Sequence, residues 1–170
     1  MSRKILTEDH FNNLIDEYGT EILRLCYLYL KDYQLAEDAC QDTFLKVYKS
    51  FHSFNGFSTE KTWITKICIN TCKNYLRNPW KRKVMLENKE LIQNEVSDKE
   101  IFAELEKSEL FNSIMKLKKN YKEIILMYYY QQLSVNEISQ ILDITESNAF
   151  TRLSRARQLL KDELGGIIYE

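Results

Sequence analysis

Hydrophobic side chains recur at helical spacing along most of the chain, separated by polar and charged residues. Before residue 133 this spacing predicts five helices, at residues 8–31, 34–51, 60–78, 101–117 and 121–131. Residues 52–60 are rich in Ser, Asn, Gly and Thr, which is typical of a loop. Pro79 ends the third helix because the residue before a proline avoids helical backbone angles. We therefore predict an all-α fold.

Residues 133–157 read as two short helices joined by a turn. Ser134 and Glu137 have the spacing of a capping box, which begins the first helix. Asp143 lies in the turn, and Thr145 caps the second helix. The pattern predicts a helix-turn-helix; an ordinary helical hairpin with a solvated basic face is the alternative. The second helix turns a polar and basic face outward, where we expect contacts with the DNA major groove and its phosphates from Asn148, Phe150, Thr151, Arg152, Ser154 and Arg155.

The third predicted helix carries a stripe of aromatic, cationic and carboxamide side chains opposite its apolar face. The stripe consists of Trp63, Lys66, Asn70, Lys73, Asn74 and Arg77. The preceding loop adds Phe54 and Phe57. Aromatic rings stack on exposed bases, amides read base edges and cations hold phosphates, so the set suits single-stranded nucleic acid. The alternative is that the aromatic residues belong to the core and the others form a solvated face.

The second predicted helix has an acidic outer face. Asp38, Gln41 and Asp42 surround the apolar Leu45, while the buried face is expected to hold Ala36, Cys40, Phe44, Val47, Tyr48 and Phe51. Acidic side chains repel DNA, so this outer face suits a protein partner with a basic patch and with Leu45 at the desolvated centre. From spacing alone, an ordinary solvated face fits equally well.

The distribution of charge along the chain is more informative than the net charge. The formal net charge is −1, which excludes a generic polyanion binder. Residues 1–83 carry more basic than acidic side chains, whereas residues 84–100 carry an acidic excess and little periodicity. We predict two small helical domains, at residues 1–83 and 101–170, joined by a linker at 84–100. Any contact with nucleic acid must then be local.

Catalytic or metal chemistry finds little support in the sequence. His10 and His52 are isolated, and the chain has no phosphate-binding glycine loop, so we predict no enzyme and no cofactor. Cys68 and Cys72 lie one helical turn apart, but no nearby His or second Cys pair completes a metal site. Packing is the favoured role for these thiols, and no metal is predicted.

The chain carries no sign of export or membrane insertion. Its amino terminus is polar and charged, unlike a signal peptide. Its apolar runs are far shorter than the roughly 20 residues that cross a bilayer. We expect a cytoplasmic protein that does not insert into membranes itself.

Three collinear segments resemble one protein family. Residues 36–45, AEDACQDTFL, resemble the AED-x-x-Q-[ED]-x-F-[LI] segment of bacterial RNA polymerase sigma factors of the extracytoplasmic-function group. The run from Phe54-Asn55-Gly56-Phe57 through Thr62-Trp63-Ile64 to Lys73-Asn74-Tyr75-Leu76 resembles region 2.3–2.4 of that group. The helix-turn-helix is similar to its region 4.2. The resemblance covers nearly the whole chain in the right order.

The resemblance implies a division of labour. Residues 1–83 correspond to sigma region 2 and residues 101–170 to sigma region 4. Asp38, Gln41, Asp42 and Leu45 would dock the β′ coiled coil of core RNA polymerase, and region 4 would meet the β flap. The loop 54–61 with Asn70 and Asn74 would capture the non-template strand of the −10 element, with a base flipped near Phe54. The second helix of the helix-turn-helix would enter the −35 major groove.

The resemblance also implies regulation and shows departures. Members of the group are held inactive by an anti-sigma factor, which is often anchored in the membrane. In this chain Asp143 stands where the family usually has Gly, and Phe150 stands where a basic residue is common. The −35 preference is therefore expected to differ from the commonest one. A helix-turn-helix regulator that binds duplex DNA alone is the alternative, although it would not need the stripe on the third helix.

Overall fold

The computed structural model describes residues 5–80 and 96–165, and every regular element in these ranges is helical. The prediction of an all-α fold is confirmed. The chain forms two compact units, Met1–Ile92 and Gln93–Glu170. Residues 84–95 of the expected linker lie outside the described residues.

The first unit is a bundle of three long helices. They are α1 (Glu8–Leu30), α2 (Tyr33–Ser50) and α3 (Glu60–Arg77), with a short 3-10 turn at Phe51–Ser53. Each helix begins at a side-chain cap, because oxygens of Thr7, Asp32 and Thr59 accept hydrogen bonds from backbone N–H groups three residues later. Lys31 adopts a left-handed conformation with φ 58°, which ends α1 and reverses the chain into α2.

The three helices of the first unit pack against one another in pairs around one core. The core includes the fully buried side chains Leu25, Cys26, Ala36, Ala39, Val47, Ile64, Cys68 and Cys72. The expected burial of Tyr48 is wrong, because this side chain is largely exposed. It lies at the edge of the buried face of α2, where its ring meets that of Phe11 edge to face at 5.2 Å between centroids.

The second unit consists of short helices gathered around a long last one. They are α4 (Val96–Glu106), α5 (Glu109–Lys116), α6 (Lys119–Ile125), α7 (Val135–Leu142) and α8 (Glu146–Glu163). A π-helical turn, Leu126–Tyr130, continues α6. Helix α8 packs against α5, α6 and α7. Its buried residues Ala149, Leu153, Ala156 and Leu160 recur every three or four positions, which forms a single apolar stripe.

The helix expected over residues 101–117 is divided in two. Helix α4 ends at Glu106, and the Ser108 hydroxyl accepts a hydrogen bond from the Phe111 N–H at 3.4 Å, which begins α5. A serine oxygen satisfies the free N–H groups of a new helix, so it begins a turn that the apolar spacing alone does not show. Within the described ranges, no helix is both long and apolar enough to span a membrane.

Candidate nucleic-acid and protein interfaces

The helix-turn-helix forms as its sequence predicts. The Ser134 oxygen accepts from the Glu137 N–H at 3.2 Å, and the Glu137 carboxylate accepts from the Ser134 N–H at 2.8 Å. Asp143 ends α7 in a left-handed conformation with φ 52° and ψ 47°. Thr145 then caps α8 by accepting from the Asn148 N–H at 3.1 Å. An aspartate therefore fulfils the role usually given to glycine, at a modest cost in backbone strain.

The outer face of α8 presents the predicted DNA-reading residues to solvent. Phe150 is 61% exposed, so its ring is open to a partner. Arg152 is half-buried, and its Nε donates to the Asn148 Oδ1 at 2.8 Å. The remaining exposed members of the set are Asn148, Thr151, Ser154 and Arg155. The buried stripe on the opposite side holds this face outward.

Arg157 has a structural role instead of a place on that face. Its Nε donates to the Tyr129 hydroxyl at 2.7 Å, and its guanidinium lies over the rings of Tyr128 and Tyr129 at 5.1 and 5.6 Å. These contacts join α8 to the π-helical turn. The sequence shows only that Arg157 is partly outward, because a partner 28 residues away leaves no local signal.

The stripe on α3 divides into exposed and half-buried members. Asn70, Asn74 and Arg77 are exposed, whereas Trp63, Lys66 and Lys73 are half-buried. The opposite side of α3 is fully buried at Ile64, Cys68 and Thr71. The two carboxamides lie one turn apart on the solvent side, and the arginine lies one turn further along.

Three aromatic side chains before and within α3 form a cluster, and a fourth, Phe57, lies apart from it. The Trp63 ring lies 5.2 Å from Phe54 and 5.9 Å from Phe51, and Phe51 and Phe54 are 5.8 Å apart. Trp63 and Phe54 are therefore partly core, as the alternative interpretation allowed. Phe57 is 90% exposed at the tip of the loop, where Gly56 adopts φ 77°.

Sequence reasoning missed Trp80, which is largely exposed just after α3. The backbone N–H of Trp80 donates to the Asn78 Oδ1 at 3.0 Å. Its signal in the sequence is an aromatic residue directly after Pro79, outside any apolar periodicity. With Phe57 it brings a second exposed ring to the segments that flank α3.

The acidic face of α2 is real, but one of its members has a second role. Asp38 and Gln41 are exposed, and Leu45 is 54% exposed. Asp42 is half-buried and accepts a hydrogen bond from the Tyr75 hydroxyl of α3. Burial and this bond raise the pKa of Tyr75 above its ordinary value of 10.0.

An exposed tyrosine extends the apolar part of the acidic face. Tyr48 follows Leu45 by three positions, so the two side chains share one side of α2. Sequence reasoning missed this because helical spacing places Tyr48 equally well at the edge of the core. The face thus has two adjacent apolar side chains next to its carboxylates, a composition typical of protein interfaces.

Comparisons with known proteins identify the family. The protein-family model described as Sigma-70 region 2 matches residues 14–82. The family model described as Sigma-70, region 4 matches residues 108–160. The sigma factor SigM of Bacillus subtilis is 33% identical, over 85% of this chain and 88% of its own length. The chain is an extracytoplasmic-function sigma factor. It therefore directs promoter-specific initiation by RNA polymerase.

One further relative is similar over most of the chain, and two solved structures have the same fold. The sigma-E factor of Haemophilus influenzae is 29% identical to this sigma factor over 91% of the chain and 87% of its own length. The structure of CnrH with the cytosolic domain of CnrY superposes with a TM-score of 0.69, at 16% identity, covering 95% of this chain and 92% of that one. The structure of RpoE of Bartonella quintana, solved with the anti-sigma factor NepR, superposes with a TM-score of 0.69 at 20% identity. It covers 94% of this chain and 98% of that one. These structures share the fold.

Proposed function

We propose that this sigma factor grips its promoters at two places, with α3 on the −10 element and α8 on the −35 element. The observation that carries the proposal is the exposed line of Asn70, Asn74 and Arg77 on α3. A regulator that reads only duplex DNA has no use for this line, since its helix-turn-helix supplies the whole contact. The proposal keeps the domain limits expected from the sequence, with region 2 at 1–83 and region 4 at 101–170.

On the −10 element, the side chains of α3 and its preceding loop hold the separated non-template strand. Asn70 and Asn74 read base edges through their amides, and Arg77 holds phosphates. Phe57 offers a free ring for stacking, whereas the half-buried Phe54 and Trp63 form the wall of a pocket for a flipped base. Lys66 and Lys73 add positive charge along the same helix.

On the −35 element, α8 enters the major groove with its outer face. Arg155 reaches a base edge or a phosphate, while Arg152 is held by Asn148 and acts with it as one unit. Thr151 and Ser154 offer hydroxyls to bases or phosphates. Phe150 contacts a thymine methyl group, which sets a preference that a basic side chain in its place would not have.

The acidic face of α2 docks the β′ coiled coil of core polymerase. Asp38 and Gln41 meet basic and polar side chains at the rim, and Leu45 with Tyr48 supplies the desolvated centre. Asp42 contributes charge while its bond to Tyr75 holds α2 against α3. The region 4 unit contacts the β flap.

The sigma factor is controlled by an anti-sigma factor that covers its polymerase-binding and DNA-binding surfaces, and in this group such factors are often anchored in the membrane. Support comes from the two solved structures of the same fold, which are complexes of CnrH with the cytosolic domain of CnrY and of RpoE with the anti-sigma factor NepR. The sigma factor works in the cytoplasm, contributes binding and not catalysis, and needs no cofactor. Its partners are core polymerase, promoter DNA in duplex and single-stranded form, and the anti-sigma factor.

Run-off transcription on a genomic fragment library tests the proposal. Purified sigma factor and core polymerase are expected to give start sites that share sequences centred near −10 and −35. Omitting either protein should abolish these transcripts. If the isolated chain instead binds a specific duplex tightly and core polymerase adds nothing, the chain acts as a stand-alone regulator and the two-site grip is wrong.

A further inference from the structure

Three of the four cysteines come together inside the bundle of α1, α2 and α3. Cys26 lies on α1, and Cys68 and Cys72 lie one turn apart on α3. All three are fully buried, and their sulfur atoms lie within 4.8 Å of one another. The sulfurs of Cys26 and Cys68 are 3.5 Å apart. The sequence alone suggested only the pair on α3, because the third donor lies 42 residues earlier than Cys68.

The spacing of the three sulfurs fits one metal ion. An ion bound in a plane at about 2.3 Å from each thiolate keeps its sulfur ligands roughly 4 Å apart. The cluster is already near this spacing, with helices rather than loops holding its donors. Thiolates are soft ligands that select Cu(I) and Zn(II) over hard cations such as Mg²⁺. The donor set therefore points to a thiophilic ion.

The number of donors favours Cu(I) over Zn(II). Structural zinc sites are almost always four-coordinate, whereas Cu(I) forms stable complexes with two or three thiolates. Among the described residues, no fourth Cys, His, Asp or Glu atom joins the cluster at this spacing. Cys40 of α2 is half-buried, and its thiol points to the Gly19 carbonyl oxygen at 3.9 Å. It is the natural comparison residue for the other three.

A cationic side chain lies beside the sulfur cluster. The Lys46 Nζ donates to the Thr71 Oγ1 at 3.0 Å, next to Cys72 on α3. A bound metal ion displaces the protons of the thiols that ligate it, so its affinity falls with decreasing pH. The nearby ammonium offsets part of the negative charge on three buried thiolates.

We propose that Cys26, Cys68 and Cys72 bind one Cu(I) ion between α1 and α3. The ion joins the first and third helices of region 2 from inside the core, opposite the exposed carboxamides of α3. Because the three donors come together only in the folded bundle, binding stabilises the folded state. The site is independent of the promoter contacts proposed above.

A competition titration of the whole chain tests this site. The reduced, metal-free protein is titrated without oxygen with Cu(I) buffered by bicinchoninate. We expect one equivalent to bind, a thiolate-to-copper absorption band in the ultraviolet, and an X-ray absorption spectrum with three sulfur neighbours at about 2.3 Å. Cys72→Ala and Cys26→Ala should each weaken binding at least about a hundredfold, whereas Cys40→Ala should bind as the wild type does.

Other outcomes overturn the site. If Cys72→Ala keeps the wild-type affinity, or if Cys40→Ala loses it as strongly, the three-sulfur assignment is wrong. A Zn(II) titration that gives a tighter complex with four sulfur neighbours would also reject it. Far-ultraviolet circular dichroism recognises variants that do not fold. If a variant does not fold, thiol alkylation of the wild-type protein takes the place of its titration. In the wild-type protein under mild denaturant, Cu(I) should protect three of the four thiols from iodoacetamide, and unchanged labelling would contradict the proposal.

Discussion

Tyr75 of α3 donates a hydrogen bond from its hydroxyl to the carboxylate of Asp42 on α2. Asp42 belongs to the acidic face proposed for core polymerase, and α3 carries the side chains proposed for the −10 strand. One bond therefore fastens together the two helices that bear these surfaces. The consequence is that substitutions at either residue change the stability of region 2 as well as any binding surface.

Tyr75→Phe is expected to destabilise region 2 by about 1.5–3 kcal/mol, the range for a hydrogen bond to a charged acceptor. Equilibrium unfolding in urea, followed by tryptophan fluorescence, measures the change. Both tryptophans of the chain, Trp63 and Trp80, lie in region 2, so the signal reports this unit alone. Tyr48→Phe, at an exposed tyrosine on α2, is the control and should cost almost nothing. Equal stability of Tyr75→Phe and the control would show that the bond contributes nothing.

The raised pKa of Tyr75 predicts loss of stability at alkaline pH. The unfolded chain releases the phenol proton near its ordinary pKa of 10.0, while the folded chain holds it to higher pH. The favourable contribution is therefore complete below about pH 10 and is lost as the pH rises through the raised value. Burial raises the pKa of Tyr18 to about 12, so this residue adds to the same loss of stability with rising pH. Urea unfolding at pH 8 and 10.5 should show a smaller loss in Tyr75→Phe than in the wild type.

Local elements were predictable from the sequence because their signals are local. The capping box of Ser134 and Glu137 and the cap at Thr145 depend on residues three positions apart, and the structure contains all of these bonds. The position of the turn at Asp143 was likewise expected from the helix periods on both sides, whereas its left-handed conformation comes from the structure. A break such as that at Ser108 was missed because apolar spacing continues across it.

Contacts between helices were not predictable, because spacing along one helix does not specify its neighbours. The Asp42–Tyr75 bond and the meeting of Cys26 with Cys68 depend on how three helices pack. Packing also decides that Tyr48 is exposed and that Trp63 is half-buried. The sequence thus indicated which faces exist, and the structure is needed to separate their exposed members from their structural ones.

Asp38→Lys is expected to weaken binding to core polymerase at least about tenfold, or ~1.4 kcal/mol. Asp38 is exposed on the acidic face, so reversing its charge opposes a basic partner without disturbing the core. Asp16→Lys makes the same change of charge on α1 and should leave affinity nearly unchanged. Fluorescence anisotropy of labelled sigma factor with core polymerase measures the affinity of both variants. Asp42→Lys should also impair binding, but it should lower the stability of region 2 as well, because it breaks the bond to Tyr75. Wild-type affinity of Asp38→Lys would remove this residue from the interface.

Arg155→Ala is expected to weaken binding of the holoenzyme to the −35 element by about 1–3 kcal/mol. Arg155 is exposed on the outer face of α8, where it can reach a base edge or a phosphate. Loss of a phosphate contact lowers affinity for all sequences and flattens the salt dependence, whereas loss of a base contact relaxes specificity at one position. Lys161→Ala, near the end of α8, is the control. Footprints that are identical for Arg155→Ala and the wild type would exclude both roles.

Phe150 is expected to read a thymine methyl group in the −35 element. Replacing that thymine by deoxyuridine removes only the methyl group and should cost the wild type about 1 kcal/mol, as for one buried methyl-sized group. The same replacement should cost Phe150→Ala nothing, because the ring that meets the methyl is gone. Affinities on the two duplexes for both proteins form a double-mutant cycle. Equal losses for the wild type and the variant would show that the exposed ring does not contact this base.

Asn70→Ala is expected to weaken capture of the separated −10 strand about tenfold, because one base edge loses its amide partner. Asn70 is exposed, so the change leaves the core of region 2 intact, whereas truncating the half-buried Phe54 would disturb the ring cluster with Trp63. Binding of the holoenzyme to a single-stranded oligonucleotide with the non-template −10 sequence measures the loss. Asn13→Ala, an exposed asparagine on α1, is the matched control. If Asn70→Ala binds the oligonucleotide like the control while region 2 stays folded, the carboxamides of α3 do not read the strand.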